Sequence, residues 1–260
     1  MRVLVTNDDG ISSDGLWALV SELNKVAEVT VVAPSEERSA VGTAVSLFRP
    51  LRVKSVAPSI PGVEAYSTDG TPSDSVILAL GKLTANRIDM VVSGINPGPN
   101  LGDDAFISGT VGAALQGYLH GLPALAISQE AAESPHVEVA AKVAALLTEK
   151  IGQNALPRDV FLNVNVPNLP LPAIKEIKVT RPANHSHGHS VIVKQDSEGN
   201  HSRYHLIRQR LTNDTGLNTD VAAIERGDIS ITPLHNYWFD LPSTPVTDDL
   251  FSGMLQELRD

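Results

Sequence analysis

Asp8 and Asp9 stand side by side in Thr6-Asn7-Asp8-Asp9-Gly10, directly after the apolar run Val3 to Thr6. Two ionised carboxylates in one tight turn repel each other, and a bound cation, solvent or a shared proton relieves the repulsion. Asp-Gly is also a common turn dipeptide, so this motif taken alone reads first as a solvated turn. Two other loops supply neutral oxygens. Ser39 lies in Pro34-Ser35-Glu36-Glu37-Arg38-Ser39-Ala40, and Asn96 lies in Gly94-Ile95-Asn96-Pro97-Gly98-Pro99-Asn100-Leu101-Gly102. Two carboxylates, a hydroxyl and an amide form an all-oxygen set that suits one hard divalent cation, Mg²⁺ or Mn²⁺, rather than zinc or copper. Beyond them, Ser108-Gly109-Thr110-Val111-Gly112-Ala113-Ala114 opens a stretch of small residues with helical character. Free N–H groups at a helix start make an anion site, with Gly109 allowing close approach and the hydroxyls of Ser108 and Thr110 adding donors. The same small residues would equally serve tight packing on a sheet, with Ser108 as a cap. A cation site and an anion cradle at one edge point to a phosphate ester.

The elements that must bring these loops together are readable as βα units. Strand candidates are Val3 to Thr6, Val29 to Ala33, Leu51 to Val56, Met90 to Ser93, Ala124 to Ile127 and Val160 to Val166. Most are apolar on both faces, as a parallel sheet covered on two sides requires. Between them Leu16, Leu19, Val20 and Leu23 fall at helical spacing, as do Val76, Ala79, Leu80 and Leu83, and Val139, Lys142, Val143 and Leu146. Asp14, Ser73 and Ser134 are placed as helix N-caps, and Gly81 and Gly121 where helices run out. In open parallel sheets ligands bind outside the carboxyl ends of the strands, which is where the chemistry-bearing loops fall. The loop holding Asn96 runs roughly 14 residues before the next helix, against roughly 2–6 for a usual βα connection. The Pro/Asn-rich segment Asn165 to Pro172 reads as a linker, dividing a core of residues 1–170 from an extension of residues 171–260. In the extension, Ser190 to Gln195 and His201 to Arg208 flank a turn-rich insert and predict a long β-hairpin. Ile229 to Thr232 predicts a last strand, and Asp248 to Leu258 a short helix.

Composition excludes several functions. There are 20 Lys+Arg against 30 Asp+Glu, a formal net charge of −10, which argues against binding long nucleic acid. The absence of cysteine excludes disulfides, thiolate zinc sites and thiol catalysis. With 5 Phe, 2 Trp and 4 Tyr there are few rings for a base-stacking platform. No signal-peptide pattern or membrane-length apolar run is present, so the chain is expected to be cytoplasmic, with no membrane partner. The sequons at Asn184, Asn200 and Asn213 then carry no meaning. His185, His187 and His189 alternate without a neighbouring carboxylate and read as a loop leading into the hairpin. Neither a Gly-x-x-x-x-Gly-Lys phosphate loop, nor a dinucleotide fingerprint after the first strand, nor a Gly-x-Ser-x-Gly elbow occurs.

Taken in order, Val3 to Gly10, Gly70-Thr71-Pro72-Ser73-Asp74, Ser93-Gly94-Ile95-Asn96 with Asn100 and Gly102, and Ser108 to Ala114 resemble the SurE family of stationary-phase survival phosphatases. Pro123 to Ser128, Asn163 to Pro167, Thr219-Asp220 and Ser230 to Leu234 extend the resemblance over nearly the whole chain. It implies a Rossmann-like three-layer α/β/α core with a mostly parallel sheet. It also implies a divalent-metal-dependent phosphomonoesterase acting on nucleoside 5′-monophosphates, with 3′-monophosphates and short polyphosphate within the same chemistry. Carried over by position, the metal ligands fall on Asp8, Asp9, Ser39 and Asn96, and the phosphate-contacting turn on Ser108, Gly109 and Thr110; either Asp8 or Asp9 is then the catalytic carboxylate that takes the attacking water's proton. The family forms homodimers or homotetramers by exchange of C-terminal segments, which gives the hairpin and last helix a role. Ser75 stands where the family often has cysteine, and Ile107 where an aromatic residue or histidine is common. Two other readings stay open on the residues alone. One is a phosphatase that forms a phosphoaspartate, although such enzymes use Asp-x-Asp and these aspartates are consecutive. The other is a non-catalytic nucleotide- or metal-binding module.

Overall fold

In the computed structural model, residues 1–84, 86–184, 187–195, 202–210 and 216–235 are described. The strands in chain order are β1 (Arg2–Thr6), β2 (Glu28–Pro34), β3 (Val53–Ser55), β4 (Glu64–Thr68), β5 (Met90–Pro97), β6 (Ala124–Gln129), β7 (Phe161–Val166), β8 (Ile177–Val179), β9 (His187–Gln195), β10 (Ser202–Arg210) and β11 (Ile229–Pro233). The helices are α1 (Asp14–Leu23), α2 (Pro72–Leu78), α3 (Asp104–Ile107), α4 (Gly109–Leu119), α5 (Val137–Gly152) and α6 (Asp220–Arg226).

Consecutive residues of β1 enter opposite faces of the sheet, and both faces are covered. Val3 and Val5 join a core with Leu16, Leu19 and Val20 of α1 and Val139, Ala140 and Val143 of α5. Leu4 joins a second core with Val76 of α2 and Ala113 of α4. That is the physical origin of the three layers: a strand apolar at every position needs helices on both sides. The sheet runs β3-β4-β2-β1-β5-β6-β7-β11-β8. Its six central parallel strands, β1, β2, β4, β5, β6 and β7, lie in the dinucleotide-fold order 3-2-1-4-5-6 when numbered among themselves. Chain direction across the sheet reverses between β1 and β5, so the crevice at the switch point opens beside Asp8 and Asn96.

Several expectations need correction. The strand expected over Leu51 to Val56 shrinks to β3, an edge strand antiparallel to β4. The short β4 and β8 and the seven-residue α6 have no counterpart in the periodicity reading. The helix caps shift. Ser13, Thr71 and His136 hold the N-cap positions, and Thr71 forms a reciprocal capping box with Asp74 around Pro72. Gly81 does not end its helix but lies in a wider π turn over Ala79–Leu83. In α5 it is Leu147, not Leu146, that is buried. β5 extends to Pro97 with a register shift against β6 between Ser93 and Asn96, and α3 interrupts the long loop that follows. The Pro/Asn-rich break begins only after Val166, because Asn165 and Val166 are buried residues of β7.

After that break, β11 pairs antiparallel with β7 and parallel with β8, so both add to the same sheet. β9 and β10 pair antiparallel as a separate two-stranded sheet. His187 and His189 belong to β9 rather than to a loop, and His185 lies outside the described residues, as does the helix expected over 248–258. No helix among the described residues is long and apolar enough to cross a membrane.

The small residues of α4 are contact surfaces. A Cβ on Gly112 would collide with the carbonyl oxygen of Gly42, in the loop after β2. Alanine in a helix interior gains about 1 kcal/mol of propensity over glycine, but overpacking against backbone costs about 1–3 kcal/mol. Gly112→Ala is therefore expected to lower the urea midpoint despite better propensity; a raised midpoint would show that the two segments do not meet.

Candidate active site

The turn that carries the two aspartates is fixed by its own side chains. Asn7 Nδ2 donates to the Gly10 carbonyl and Asn7 Oδ1 accepts from the Gly10 N–H, both at 3.1 Å. Gly10 adopts φ +99°, a region that favours glycine. The Ile11 N–H donates to the Pro34 carbonyl at 2.8 Å, which ties the turn to the end of β2.

Within this turn the two carboxylates have different surroundings. Asp8 is 4% exposed. Its Oδ1 accepts the Thr110 hydroxyl proton, and the Thr110 backbone also bonds it. Gly109 packs directly on it, since a Cβ there would sit 2.8 Å from Asp8 Cβ. Asp8 thus occupies the positive end of α4. Burial pushes its pKa up, and the bonds from Thr110 pull it back. Asp9 meets no comparable side-chain donor among the described residues, and only its own backbone N–H bonds it. Its Oδ2 is buried with no hydrogen-bond partner among those residues. Burial, then the nearby charges of Asp8 and Glu37, push the Asp9 pKa up to about 7.

Asp8, Asp9, Ser39, Asn96 and Ser108 all line one cleft of about 490 Å³. Gly109 and Thr110 stand behind Asp8, with Thr110 fully buried, so their side of the helix start is turned first to the carboxylate. Ser108 caps α4 by accepting from the Val111 N–H at 3.2 Å, which leaves its hydroxyl proton to donate. The exposed Ser39 donates to Glu37 Oε1 at 2.6 Å. Asn96 donates its amide N–H to the Gly98 carbonyl at 2.6 Å, and the atom it has to offer a cation is Oδ1.

Sequence reasoning gave no role to three further acids of this cleft, Glu37, Asp104 and Glu130. Glu37 was visible in the Ser39 loop; the other two carry no local signal. Among the described residues the lining therefore holds five carboxylates, and no Lys, Arg or His. Among the described residues no three His, Cys, Asp or Glu side chains converge as a ligand cluster, so a cation here would rest on Asp8 and Asp9 completed by neutral oxygens. The orphaned Asp9 Oδ2, the raised Asp9 pKa and the absence of a cationic side chain among the described lining residues all fit a divalent cation in this place.

Behind the cleft, Asn100 is buried and clamped from the sheet. Its N–H donates to Asn165 Oδ1 at 2.8 Å, its carbonyl accepts from Asn163 Nδ2 at 2.7 Å, and its Nδ2 donates to Ser128 Oγ at 2.8 Å. The alternation Asn163-Val164-Asn165 places both asparagines on one face of β7, a legible signal because polar residues are unusual in a buried parallel strand.

This is an α/β protein with an open, mostly parallel sheet and an acidic, oxygen-lined cleft at the strand-order switch point. The family model "Survival protein SurE" matches residues 3–189, and the chain belongs to the SurE family. It is 47% identical over 262 residues to a protein named 5′-nucleotidase SurE from Dehalococcoides mccartyi, covering 100% of this chain and 98% of that relative. A protein of the same name from Legionella pneumophila is 42% identical over 258 residues, covering 99% and 98%. The crystal structure of the SurE protein from Aquifex aeolicus superposes with a TM-score of 0.77 at 34% identity, covering 100% of both chains.

The raised Asp9 pKa sets the sign of a pH effect on the metal-free protein. Between the ordinary carboxylate value of 3.8 and about 7 the folded state holds a proton that the unfolded state has released, so this group's contribution to stability falls as pH rises through that window. Against Asp9→Asn, the wild type in EDTA is expected to lose thermal stability progressively from pH 4 to 7.5; parallel melting profiles would contradict the shift.

Proposed function

We propose that this chain is a divalent-metal-dependent 5′-nucleotidase, hydrolysing nucleoside 5′-monophosphates to nucleoside and phosphate. One observation carries the metal dependence: among the described residues the charged side chains of the cleft are all carboxylates, which repel a phosphate dianion unless a cation intervenes. The names of the relatives, at 42% to 47% identity over almost the whole chain, support the reaction class.

Asp8, Asp9, Ser39 and Asn96 are the residues that would hold one Mg²⁺ or Mn²⁺. Bound there, the ion would supply Lewis acidity toward a phosphoryl oxygen and acidify a water. Thr110 and Gly109 hold Asp8 in a single place. The Ser108 hydroxyl, on the cleft wall with its proton left to donate, would meet the charge that grows on the phosphoryl oxygens, as a donor in an oxyanion site does. Asp9 has an uncommitted oxygen, whereas Asp8 is engaged by Thr110, so we assign Asp9 as acceptor of the attacking water's proton. We extend the proposal to a homodimer or homotetramer built through the C-terminal segment. The isolated β9–β10 sheet exposes Val191 (57%), Tyr204 (67%) and Leu206 (77%), and a two-stranded hairpin is marginal without a partner surface.

The direct experiment measures phosphate release by EDTA-stripped protein from nucleoside 5′- and 3′-monophosphates and simple phosphoesters, with Mg²⁺ or Mn²⁺ restored. Release from 5′-monophosphates only with metal is expected, with Asp9→Asn lowering kcat about 100-fold or more while the protein stays folded. No metal-dependent release from any substrate would refute the proposal.

A further inference from the structure

Leu101 lines the same cleft as Asp8 and Asp9, and the Leu101–Gly102 turn is held by a residue from far down the chain. Asp220, at the start of α6 and 1% exposed, accepts three backbone N–H groups from three different segments. Its Oδ2 takes the Gly102 N–H at 2.8 Å; its Oδ1 takes Ala183 at 2.9 Å and Val221 at 2.8 Å. The same segments share a small apolar cluster of Leu101, Ala183, Val221 and Ile224, each at most 6% exposed. Ala183 lies four residues before β9, and the Asp220 N–H donates to the Arg181 carbonyl at 3.0 Å. Leu101 itself lines the cleft. Burying a carboxylate is costly unless its oxygens are fully bonded, and burial does push the Asp220 pKa up while the Gly102, Ala183 and Val221 N–H groups pull it down. A helix cap alone needs one of those bonds, and Thr219 already caps α6 by accepting from the Ala222 N–H.

Resting on the nucleotidase reading, we infer that Asp220 is a positioning residue. It fixes the Leu101–Gly102 wall of the cleft and joins it to the root of the β9–β10 hairpin, so that substrate affinity depends on a residue that does not touch the substrate. The consequence is a split in kinetics. The metal-side residues, Asp8 and Asp9 after β1 and Asn96 on β5, do not bond Asp220 and keep their places when the joint is lost, whereas the Leu101 side of the cleft is released.

In Asp220→Asn one oxygen still serves Ala183 and Val221, but an amide N–H₂ now faces the Gly102 N–H, donor against donor. With 5′-AMP and Mn²⁺ the variant is expected to show KM raised about tenfold or more, with kcat per folded molecule within about threefold of wild type. Ile224→Ala, which loosens the same cluster from the helix side, should move KM in the same direction and serves if Asp220→Asn does not fold. In both, amide hydrogen exchange of the peptide spanning Gly102 should be about tenfold faster, measured without substrate. A wild-type KM, or a loss confined to kcat in proportion to the unfolded fraction, overturns the joint. So does wild-type exchange at Gly102, whatever the activity. Wild-type protein that releases no phosphate would instead refute the nucleotidase reading and leave the exchange result to judge the joint.

Discussion

The contact between Asp8 and the first turn of α4 sets the terms for everything around it. A carboxylate buried to this degree is unfavourable unless donors meet it, and here the Thr110 hydroxyl, the Thr110 backbone and the helix dipole do so. The price is steric: position 109 must be glycine-sized, because a Cβ would stand 2.9 Å from Asp8 Oδ2. With Asp8 held in this way, the adjacent Asp9 cannot reach the same donors. It is left beside a like charge with one oxygen unbonded among the described residues, and the site gains an electrostatic deficit that a cation or a proton relieves.

The loops around that pair are held by a repeated device, a buried acid that accepts backbone N–H groups from its own helix start and from a distant loop. Asp74 does this for the loop after β2, accepting the Thr71 N–H and, across 28 residues, the Ser46 N–H, each at 2.9 Å. Asp220 does it for the loop after β5. Asn163 and Asn165 add a clamp from the sheet. The cleft is thus assembled from loops too long to be fixed by their own turn chemistry, and its shape comes from polar groups buried behind it.

How much of this was legible in the sequence follows from where each signal resides. β1, β2, β5, β6 and β7 could be read because strands covered on both faces are runs of apolar residues, and the Asp8-Asp9 turn could be placed at a strand end for that reason. β4 escaped because Glu64-Ala65-Tyr66-Ser67-Thr68 carries only one small apolar residue and one half-buried aromatic, and its identity as a strand comes from pairing with β2. Thr71 was legible in principle, since Thr-Pro-Ser-Asp is a capping-box pattern with proline at the first helical position, but Ser73 was the expected cap. The oxygen-donor set was readable by residue type. That Thr110 serves Asp8 before any ligand, and that Asp220 reaches Gly102 across 118 residues, are register facts that no local pattern contains.

The central claim is that the Asp8-Asp9 pair is a cation site rather than a solvated turn. Calorimetric titration of EDTA-stripped full-length protein with Mn²⁺ tests it without depending on turnover. One ion per chain is expected, with proton release near pH 6.5 as Asp9 ionises, and with binding lost in the Asp9→Asn variant. Absence of saturable binding, or equal binding by Asp9→Asn, would contradict the account.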